Sequence, residues 1–204
     1  MNTFSRASSR TLWVSVRAMV VFTVVFGVIY TFALTGIGQL IFPSQVNGSL
    51  LKGASGEVVG SALIGQPFQN ATGDPLPQYF QPRPSAAGTG YAGDNSSGSN
   101  LGPENADLIT AIGARKAQVA QFNGVAESQV PADAVTASGS GLDPDISPAY
   151  AAIQVERVAK ARSLSVDQVR ELVAAHTQGR DLGYLGEPTV NVLELNLALD
   201  KLGG

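Results

Sequence analysis

The stretch AMVVFTVVFGVIYTFALTGIGQLIF, residues 18–42, decides the architecture of this chain. It holds 25 consecutive residues without a charge, and about 20 apolar residues are enough for a helix to cross a bilayer. Pro43 follows directly and discourages continuation of the helix. The sequence therefore predicts one transmembrane helix over residues 18–42.

The length of this stretch favours an anchor over a cleaved signal peptide. A signal peptide has an apolar core of roughly 7–15 residues and a small-x-small cleavage motif after it, and this sequence shows no clear motif of that kind. Three arginines precede the stretch, whereas only Lys52 follows it closely. Because basic residues mark the cytoplasmic end of a membrane helix, we expect residues 1–17 in the cytoplasm. Residues 43–204 then lie outside the inner (plasma) membrane, in the periplasm of a cell with an outer membrane.

Charge is divided unevenly along the chain. Residues 1–42 hold Arg6, Arg10 and Arg17 and no acid, whereas the rest holds ten basic and all 16 acidic residues, a net charge of −6. Such an acidic domain offers no positive field for phosphates, which excludes a nucleic-acid partner. The absence of cysteine from the sequence excludes a disulfide framework and a thiolate metal site.

The part after the anchor starts with a predicted β element and a long irregular segment. Apolar pairs at Leu50-Leu51 and Val58-Val59 flank the turn-rich KGASGE, which predicts a short hairpin. Residues 70–103 are rich in Gly, Pro, Ser and Asn, a composition typical of a loop or linker. A structureless loop of this length is uncommon in a small domain, so we expect it to be mobile or functional.

Four helices are predicted beyond this segment. The first covers residues 103–122, with Pro103 in its first position. Each of the other three follows a capping residue. Ser147 precedes a helix to about Arg162, and Ser165 with Gln168 precedes a helix that ends near His176. Asn191 with Glu194 begins the last helix. The last three form a helical unit over residues 131–202. The predicted fold is therefore α+β, with one transmembrane helix and a mostly helical extracytoplasmic domain that contains a small β element.

His176 is the only histidine and the basis of an alternative function. A membrane-anchored periplasmic serine hydrolase would use it with one of the many serines. However, His176 falls in the last turn of a predicted helix, where the dipole favours a cation. The sequence also has no G-x-S-x-G nucleophile elbow. A capping or surface histidine is the simpler interpretation.

The segment Ser138-Gly139-Ser140-Gly141 has two interpretations. Its glycines would allow a backbone nest for an anion, but no lysine follows, and Asp143 and Asp145 would repel phosphate. A tight turn that packs against a partner is the simpler interpretation. The two aspartates lack the glycine and glutamate of a calcium loop, and an Asx turn ahead of the Ser147 cap accounts for them.

Arg83 is the only basic residue within residues 70–103, and it lies between two prolines. An arginine held in this way loses little entropy on ordering and can clamp a carboxylate or a carbonyl. The alternative is a solvated loop charge.

Six strings run in order along the chain: GSALIGQPF (60–68), YFQPRPSAAG (79–88), GSNLGPEN (98–105), VPADAVTASGSGLDPDISPAYA (130–151), QVERVAKAR (154–162) and HTQGRDLGYLGEPTVNVLELNLALD (176–200). Together they resemble the C subunits of the Kdp-type potassium-transporting ATPases, over about residues 16–200. The resemblance implies a complex with a potassium-channel-like subunit, a P-type ATP-hydrolysing subunit and a small single-span subunit. That complex imports potassium, driven by ATP.

The resemblance also implies where catalysis lies. The phosphorylated aspartate belongs to the ATP-hydrolysing subunit, and this chain has no D-K-T-G-T motif. No catalytic residue, metal or tightly bound cofactor is therefore expected here. The resemblance further implies a role as a catalytic chaperone, which raises the affinity of the ATP-hydrolysing subunit for ATP. The segment linked to this role in the family resembles S-G-G-S. This chain reads Ser96-Ser97-Gly98-Ser99-Asn100 instead, which weakens a direct contact with nucleotide.

The predicted topology conflicts with a direct ATP contact, because the domain lies outside and ATP lies inside. We expect the domain to assemble and stabilise the pump, docked over the outer mouth of the potassium-selective subunit. Acidic residues would favour cations only near that mouth, since salt screens charges beyond about 8 Å. Three turn-forming segments are the candidate contacts: Arg83, Pro84 and Ser85; Ser99, Asn100, Leu101, Gly102 and Pro103; and residues 136–147 with Thr136, Ser138, Gly139, Ser140, Gly141, Asp143, Asp145 and Ser147.

Overall fold

The computed structural model describes the backbone of residues 6–202 and the side chains of residues 9–202. The chain folds as two compact units, one that ends at Ser49 and one that begins at Leu50.

The first unit is one long helix followed by a short one. It consists of α1 (Arg6–Phe22), a π-helical segment (Thr23–Tyr30), α2 (Thr31–Ile41) and the single turn α3 (Pro43–Val46). Among the described residues, Ser9–Ile41 is the one helix long and apolar enough to cross a membrane, and an 18-residue window within it has a mean hydropathy of 2.2. Its end before Pro43 agrees with the sequence prediction. The helix itself already begins at Arg6, before the predicted span, because arginine is a good helix former. The start of the membrane span at residue 18 stays a prediction.

Two hydroxyl groups inside the apolar helix bond to carbonyl groups of the helix itself. The Thr35 hydroxyl donates to the carbonyl of Thr31 at 2.8 Å, and the Thr31 hydroxyl donates to the carbonyl of Phe26 at 3.4 Å. In lipid, where water is absent, such local bonds remove the need for an external polar partner.

The second unit is α+β, as predicted. A hairpin of β1 (Leu50–Lys52) and β2 (Val58–Ser61) opens it, with Leu51 opposite Gly60 and a bulge between Leu51 and Lys52. The helices are α4 (Ala106–Asn123), α5 (Pro148–Arg162), α6 (Val166–Ala175) and α7 (Val192–Leu202). Single 3₁₀ turns occupy Glu127–Gln129 and Ala132–Ala134.

A second, three-stranded sheet was not foreseen from the sequence. Its strands are β3 (Asp145–Ile146), β4 (Thr177–Gln178) and β5 (Thr189–Asn191), in the antiparallel order β3-β5-β4. Strands of two or three residues are too short to show an alternating pattern, which explains why periodicity did not reveal them. The sheet joins the start of α5 to the start of α7, since Asp145 lies opposite Asn191.

The helix starts follow the predicted capping chemistry, with one exception. The Ser147 hydroxyl accepts from the Tyr150 N–H at 3.0 Å, Ser165 forms a capping box with Gln168, and the Asn191 amide oxygen accepts from the Glu194 N–H at 3.1 Å. The exception is α4, whose cap is Asn105, so Pro103 lies outside the helix rather than in its first position. A side chain that accepts two backbone N–H groups satisfies more of the helix start than proline does.

The apolar core is built around α5. The buried positions of α5 pack with those of α6, α7 and the second sheet, namely Val155, Val158, Ala159, Val169, Leu195, Leu199 and Val190. The fully buried Phe80, from the long irregular segment, belongs to the same cluster.

Residues 70–103 form a packed loop rather than a linker in their central part. They contain no helix, yet Phe80 and Ala87 are fully buried. The buried Asn196 accepts from the Phe80 N–H at 2.9 Å and donates to its carbonyl at 3.0 Å. The buried Gln154 makes the same pair of bonds to Gln81, at 2.7 and 3.2 Å. Two amide side chains therefore take the place of a neighbouring strand, which meets the requirement that buried backbone groups be hydrogen-bonded.

Two arginines of α5 hold the segment just before Phe80. Arg157 donates to the carbonyls of Pro77 and Tyr79 and to the side chains of Asn123 and Gln154. Burial lowers the pKa of Arg157 to about 10, so it remains a cation at neutral pH.

Arg162 acts in a similar way one turn further on. It donates to the Gln78 carbonyl at 2.7 Å, pairs with Asp200 at 2.6 Å and lies over the Tyr79 ring at 4.7 Å. The late basic residues of α5 therefore fix an irregular segment in place, beyond any effect on the helix dipole.

Candidate contact loops and cleft

Two of the three predicted contact segments lie against each other. The Arg83 guanidinium pairs with the Asp143 carboxylate at 2.8 Å, a contact between residues 60 positions apart. The second Asp143 oxygen accepts from the Asp145 N–H at 3.0 Å, the Asx-type contact that the sequence predicted. Arg83 is therefore a clamp on a carboxylate rather than a solvated loop charge, and the carboxylate belongs to this same chain.

Ser85 connects the same two segments. Its hydroxyl donates to the Gly141 carbonyl at 2.6 Å and accepts from the N–H groups of Ala87 and Tyr91 at 3.1 and 2.8 Å. The Tyr91 hydroxyl then donates to the Arg83 carbonyl at 2.7 Å. This set of bonds closes residues 83–91 into a rigid turn, and Pro84 lies within it.

The Gly/Ser turn at residues 138–141 packs closely against another segment of the same chain, and its own serine hydroxyls accept from backbone N–H groups. Gly141 has φ +67°, and a Cβ there would lie 2.5 Å from the Ser97 carbonyl oxygen. The N–H groups of Gly141 and Leu142 are taken by the hydroxyls of Ser138 and Ser140, at 2.9 and 3.1 Å. These N–H groups are therefore not free to cradle a phosphate, and the geometry favours the tight-turn interpretation.

The altered S-G-G-S segment packs against this turn. The Ser96 hydroxyl donates to the Ser140 carbonyl at 3.0 Å, and the Ser97 hydroxyl donates to the Ala86 carbonyl at 2.9 Å. A Cβ on Gly98 would lie 2.9 Å from the Gly139 carbonyl oxygen. Small residues are needed here for close approach of two backbones.

Ser147, the last residue of the third segment, caps α5 and is itself held by Asp133. Asp133 accepts from both the N–H and the hydroxyl of Ser147, at 2.7 and 2.9 Å. Thr136 bonds locally to the Ala132 carbonyl at 2.8 Å. Burial, together with Asp143 and Glu194, raises the pKa of Asp145 above its ordinary value.

The segment Ser99–Pro103 stands apart from the other two. All five residues, Ser99, Asn100, Leu101, Gly102 and Pro103, are exposed. Among the described residues, no hydrogen bond joins them to Arg83 or Asp143. Gly139 and Ser140 of the paired loops are exposed as well.

A cleft of about 340 Å³ opens beside Arg83, within the second unit. Four prolines and the aromatic residues Tyr91, Tyr150 and Phe122 line much of its wall, and Arg115 of α4 lines it as well. Burial raises the pKa of Tyr91 and of Tyr150, so both phenols stay protonated at neutral pH. Sequence reasoning missed Arg115 and the rings, since they come from segments distant in sequence and share no motif.

His176 has a structural position. It lies at the C-terminal end of α6, and its Nδ1 is 2.9 Å from the carbonyl oxygen of Leu172. No serine hydroxyl of the described residues forms a hydrogen bond with it. Nor do the described residues contain a group of three His, Cys, Asp or Glu side chains that could hold a metal ion.

These observations define a protein with one membrane-length apolar helix and a small α+β domain whose polar chemistry lies mainly in contacts between loops. The family model KdpC, described as the K⁺-transporting ATPase c chain, matches residues 12–201. Because that match covers most of the sequence, the chain belongs to the KdpC family.

Curated relatives agree over nearly the full length. The potassium-transporting ATPase KdpC subunit of Beijerinckia indica subsp. indica is 52% identical over 183 residues, which cover 90% of this chain and 89% of that protein. The KdpC subunit of Mycobacterium tuberculosis H37Rv is 51% identical over 194 residues, covering 95% and 99%. That of Streptomyces avermitilis is 47% identical, covering 99% and 98%.

Proposed function

We propose that this chain is the accessory C subunit of a potassium-importing P-type ATPase complex. Membership of the KdpC family supports this role, and the relatives carry the name of the potassium-transporting ATPase. Residues 18–42 anchor the chain in the inner (plasma) membrane, with residues 1–17 in the cytoplasm and residues 43–204 outside. The distribution of arginines around the apolar helix supports this orientation.

The domain assembles and stabilises the pump rather than catalysing a step. Its partners are a potassium-channel-like subunit, a P-type ATP-hydrolysing subunit and a small single-span subunit. The observation that carries this proposal is the match of the KdpC family model to residues 12–201. The pairing of Arg83 with Asp143 and of Ser85 with Gly141 braces two loops internally. The exposed residues 99–103, Gly139 and Ser140 are the surface that we propose for a partner.

Any effect on ATP affinity is indirect in this proposal. ATP binds the ATP-hydrolysing subunit on the cytoplasmic side, and the N–H groups of the Gly/Ser turn are occupied by serine hydroxyls. An increase in ATP affinity would therefore pass through the membrane helices. The net charge of −6 outside the anchor favours cations over anions near the outer mouth of the potassium-selective subunit.

Sidedness of the domain tests this proposal directly. The chain has no cysteine, so Ser99→Cys introduces one thiol at an exposed position that has no side-chain hydrogen bond among the described residues. Whole cells, with any outer membrane permeabilised, are treated with a membrane-impermeant maleimide, and labelling is read on this chain alone. We expect Ser99→Cys to be labelled in intact cells that produce this chain without its partner subunits, because a docked partner would cover residues 99–103.

Two further positions serve as controls. Ser9→Cys lies before the apolar stretch and should react only after lysis. Ser55→Cys, on the turn of the β1–β2 hairpin, guards against a thiol hidden by a partner subunit. Labelling of both domain positions only after lysis would reverse the orientation and would make a direct contact with ATP the better explanation.

A further inference from the structure

The cleft beside Arg83 has a charge opposite to that of the domain around it. Arg83 and Arg115 both line it, and no carboxylate lines it among the described residues. Asp143 pairs with Arg83 at 2.8 Å, and Asp74 lines an adjoining depression, where it accepts from the side chains of Asn70 and Thr72. In a domain with six more acidic than basic residues, this is a local concentration of positive charge.

Both guanidinium groups keep donors that the fold does not use. Arg115 donates NH1 to the Val135 carbonyl at 3.1 Å, and its other nitrogens have no hydrogen-bond partner among the described residues. Arg83 uses NH1 for Asp143, and its buried Nε has no acceptor there either. The buried Nε of Arg83 is not accessible to a ligand, whereas Arg115 is only half-buried and its unused nitrogens are available to a charged acceptor in the cleft.

The charge and the walls of the cleft together define a ligand class. Two arginines and the Asp143 carboxylate leave a net charge of about +1, which matches a monoanion better than a doubly charged phosphate. Prolines and the rings of Tyr91, Tyr150 and Phe122 offer an apolar surface for the rest of a ligand. A volume of about 340 Å³ lies within the range of small-molecule pockets.

We propose that this cleft binds a small organic monocarboxylate with an aromatic or apolar body. The carboxylate lies between Arg83 and Arg115, the guanidinium of Arg115 donates to it, and the body packs on the rings and prolines. The proposal concerns only residues of the second unit and stands independently of the role of the chain in the pump.

Calorimetric titration of the full chain in a non-ionic detergent tests this site. Phenylacetate is the probe, phenylacetamide is its uncharged match, and inorganic phosphate is the competing anion. We expect saturable binding of phenylacetate and binding of phenylacetamide that is weaker by about tenfold or more, because a charge-assisted hydrogen bond is lost. Equal binding of acid and amide, tighter binding of phosphate, or no saturable heat would each overturn the proposal.

A pair of arginine variants locates the site. Arg115→Gln should weaken phenylacetate binding about tenfold or more, whereas Arg170→Gln, on the exposed side of α6 and outside the cleft, should leave it unchanged. If near-ultraviolet circular dichroism shows that Arg115→Gln disturbs the fold, the comparison of phenylacetate with phenylacetamide on the unmodified chain decides whether the proposal holds. Unchanged binding by a folded Arg115→Gln protein would place the ligand elsewhere and overturn the proposal.

Discussion

Two irregular loops of the same domain are held in opposite ways. The packed loop, residues 77–91, has few bonds of its own backbone and depends on side chains of α5 and α7, chiefly Arg157, Gln154 and Asn196. The tip loop, residues 179–188 between β4 and β5, is closed by its own bonds. Asp181 and Leu185 exchange two backbone hydrogen bonds, both at 2.9 Å.

The two loops also differ in what they expose. The packed loop buries Phe80 completely, whereas the tip loop leaves Leu182 81% and Tyr184 69% exposed. The packed loop is therefore part of the folding unit, and its loss should unfold the domain. The tip loop is a local structure, and changes in its exposed side chains should leave the domain intact. Substitutions in and around the two loops test this difference.

Arg157→Leu should have the largest effect. The change removes hydrogen bonds to two carbonyls of the packed loop and to two amide side chains, and it leaves acceptors buried without donors. We expect the free energy of unfolding to fall by about 3–4 kcal/mol. The measurement is denaturant unfolding of the full chain, followed by near-ultraviolet circular dichroism of its tyrosines, because the only tryptophan, Trp13, lies in the first unit.

The matched control is Arg170→Leu on α6. Arg170 is exposed, and its one ion pair among the described residues is with Asp167, three residues before it. An exposed pair of this kind contributes less than about 1 kcal/mol. If both variants lost the same stability, the idea that arginine side chains hold the packed loop would be wrong.

Gly141→Ala should have the next largest effect. A Cβ at this position meets the Ser97 carbonyl oxygen at 2.5 Å, and φ of +67° is unfavourable for alanine. We expect a loss of about 1–3 kcal/mol in the free energy of unfolding and weaker recovery of the assembled pump on co-purification.

Gly139→Ala is the control for that change. A Cβ on Gly139 would meet nothing within 4 Å, and its φ is not in the left-handed region. We expect a change of less than about 0.5 kcal/mol. Equal destabilisation by the two alanines would contradict the role assigned to close approach of residues 97 and 141.

The contrast between the loops also shows what the sequence could predict. The apolar helix, the β1–β2 hairpin and the caps at Ser147 and Ser165 follow from local patterns, because the interacting groups are a few residues apart. The packed loop does not follow, since its composition describes a linker and its partners Gln154 and Asn196 are about 73 and 116 residues away. A mid-helix Gln or Asn gives no sign that it is buried.

The residues of the candidate site likewise differ in whether a local sequence pattern could predict them. Arg83 and Asp143 were each identified as unusual, and their pairing is a long-range contact that no spacing rule expresses. Segment 99–103 shared the same turn chemistry, yet it lies exposed and apart from that pair. Arg115 and the rings of the cleft carried no sequence signal, because an arginine within a helix ordinarily faces solvent.

Asp145→Asn should produce a smaller effect, and in the opposite direction. Burial, Asp143 and Glu194 raise the pKa of Asp145 above 3.8, so the folded domain holds this proton more tightly than the unfolded chain does. The carboxyl group therefore destabilises the fold progressively as pH rises through its raised pKa. We expect the asparagine variant to be more stable at neutral pH by less than about 1 kcal/mol, since the group is only half buried. Unfolding measured across a pH series should show the difference vanish below the unfolded pKa, and a difference that persists there would contradict the electrostatic cause.

Leu182→Gly should have the smallest effect and separates the tip loop from the packed loop most directly. Leu182 has φ +53°, a backbone conformation that glycine adopts without strain, and its side chain is largely exposed. Relief of strain and the greater freedom of glycine in the unfolded chain act in opposite directions. We therefore expect the free energy of unfolding to change by less than about 0.5 kcal/mol. A loss above about 1 kcal/mol would show that the tip loop contributes to the stability of the domain, and it would then belong to the folding unit just as the packed loop does.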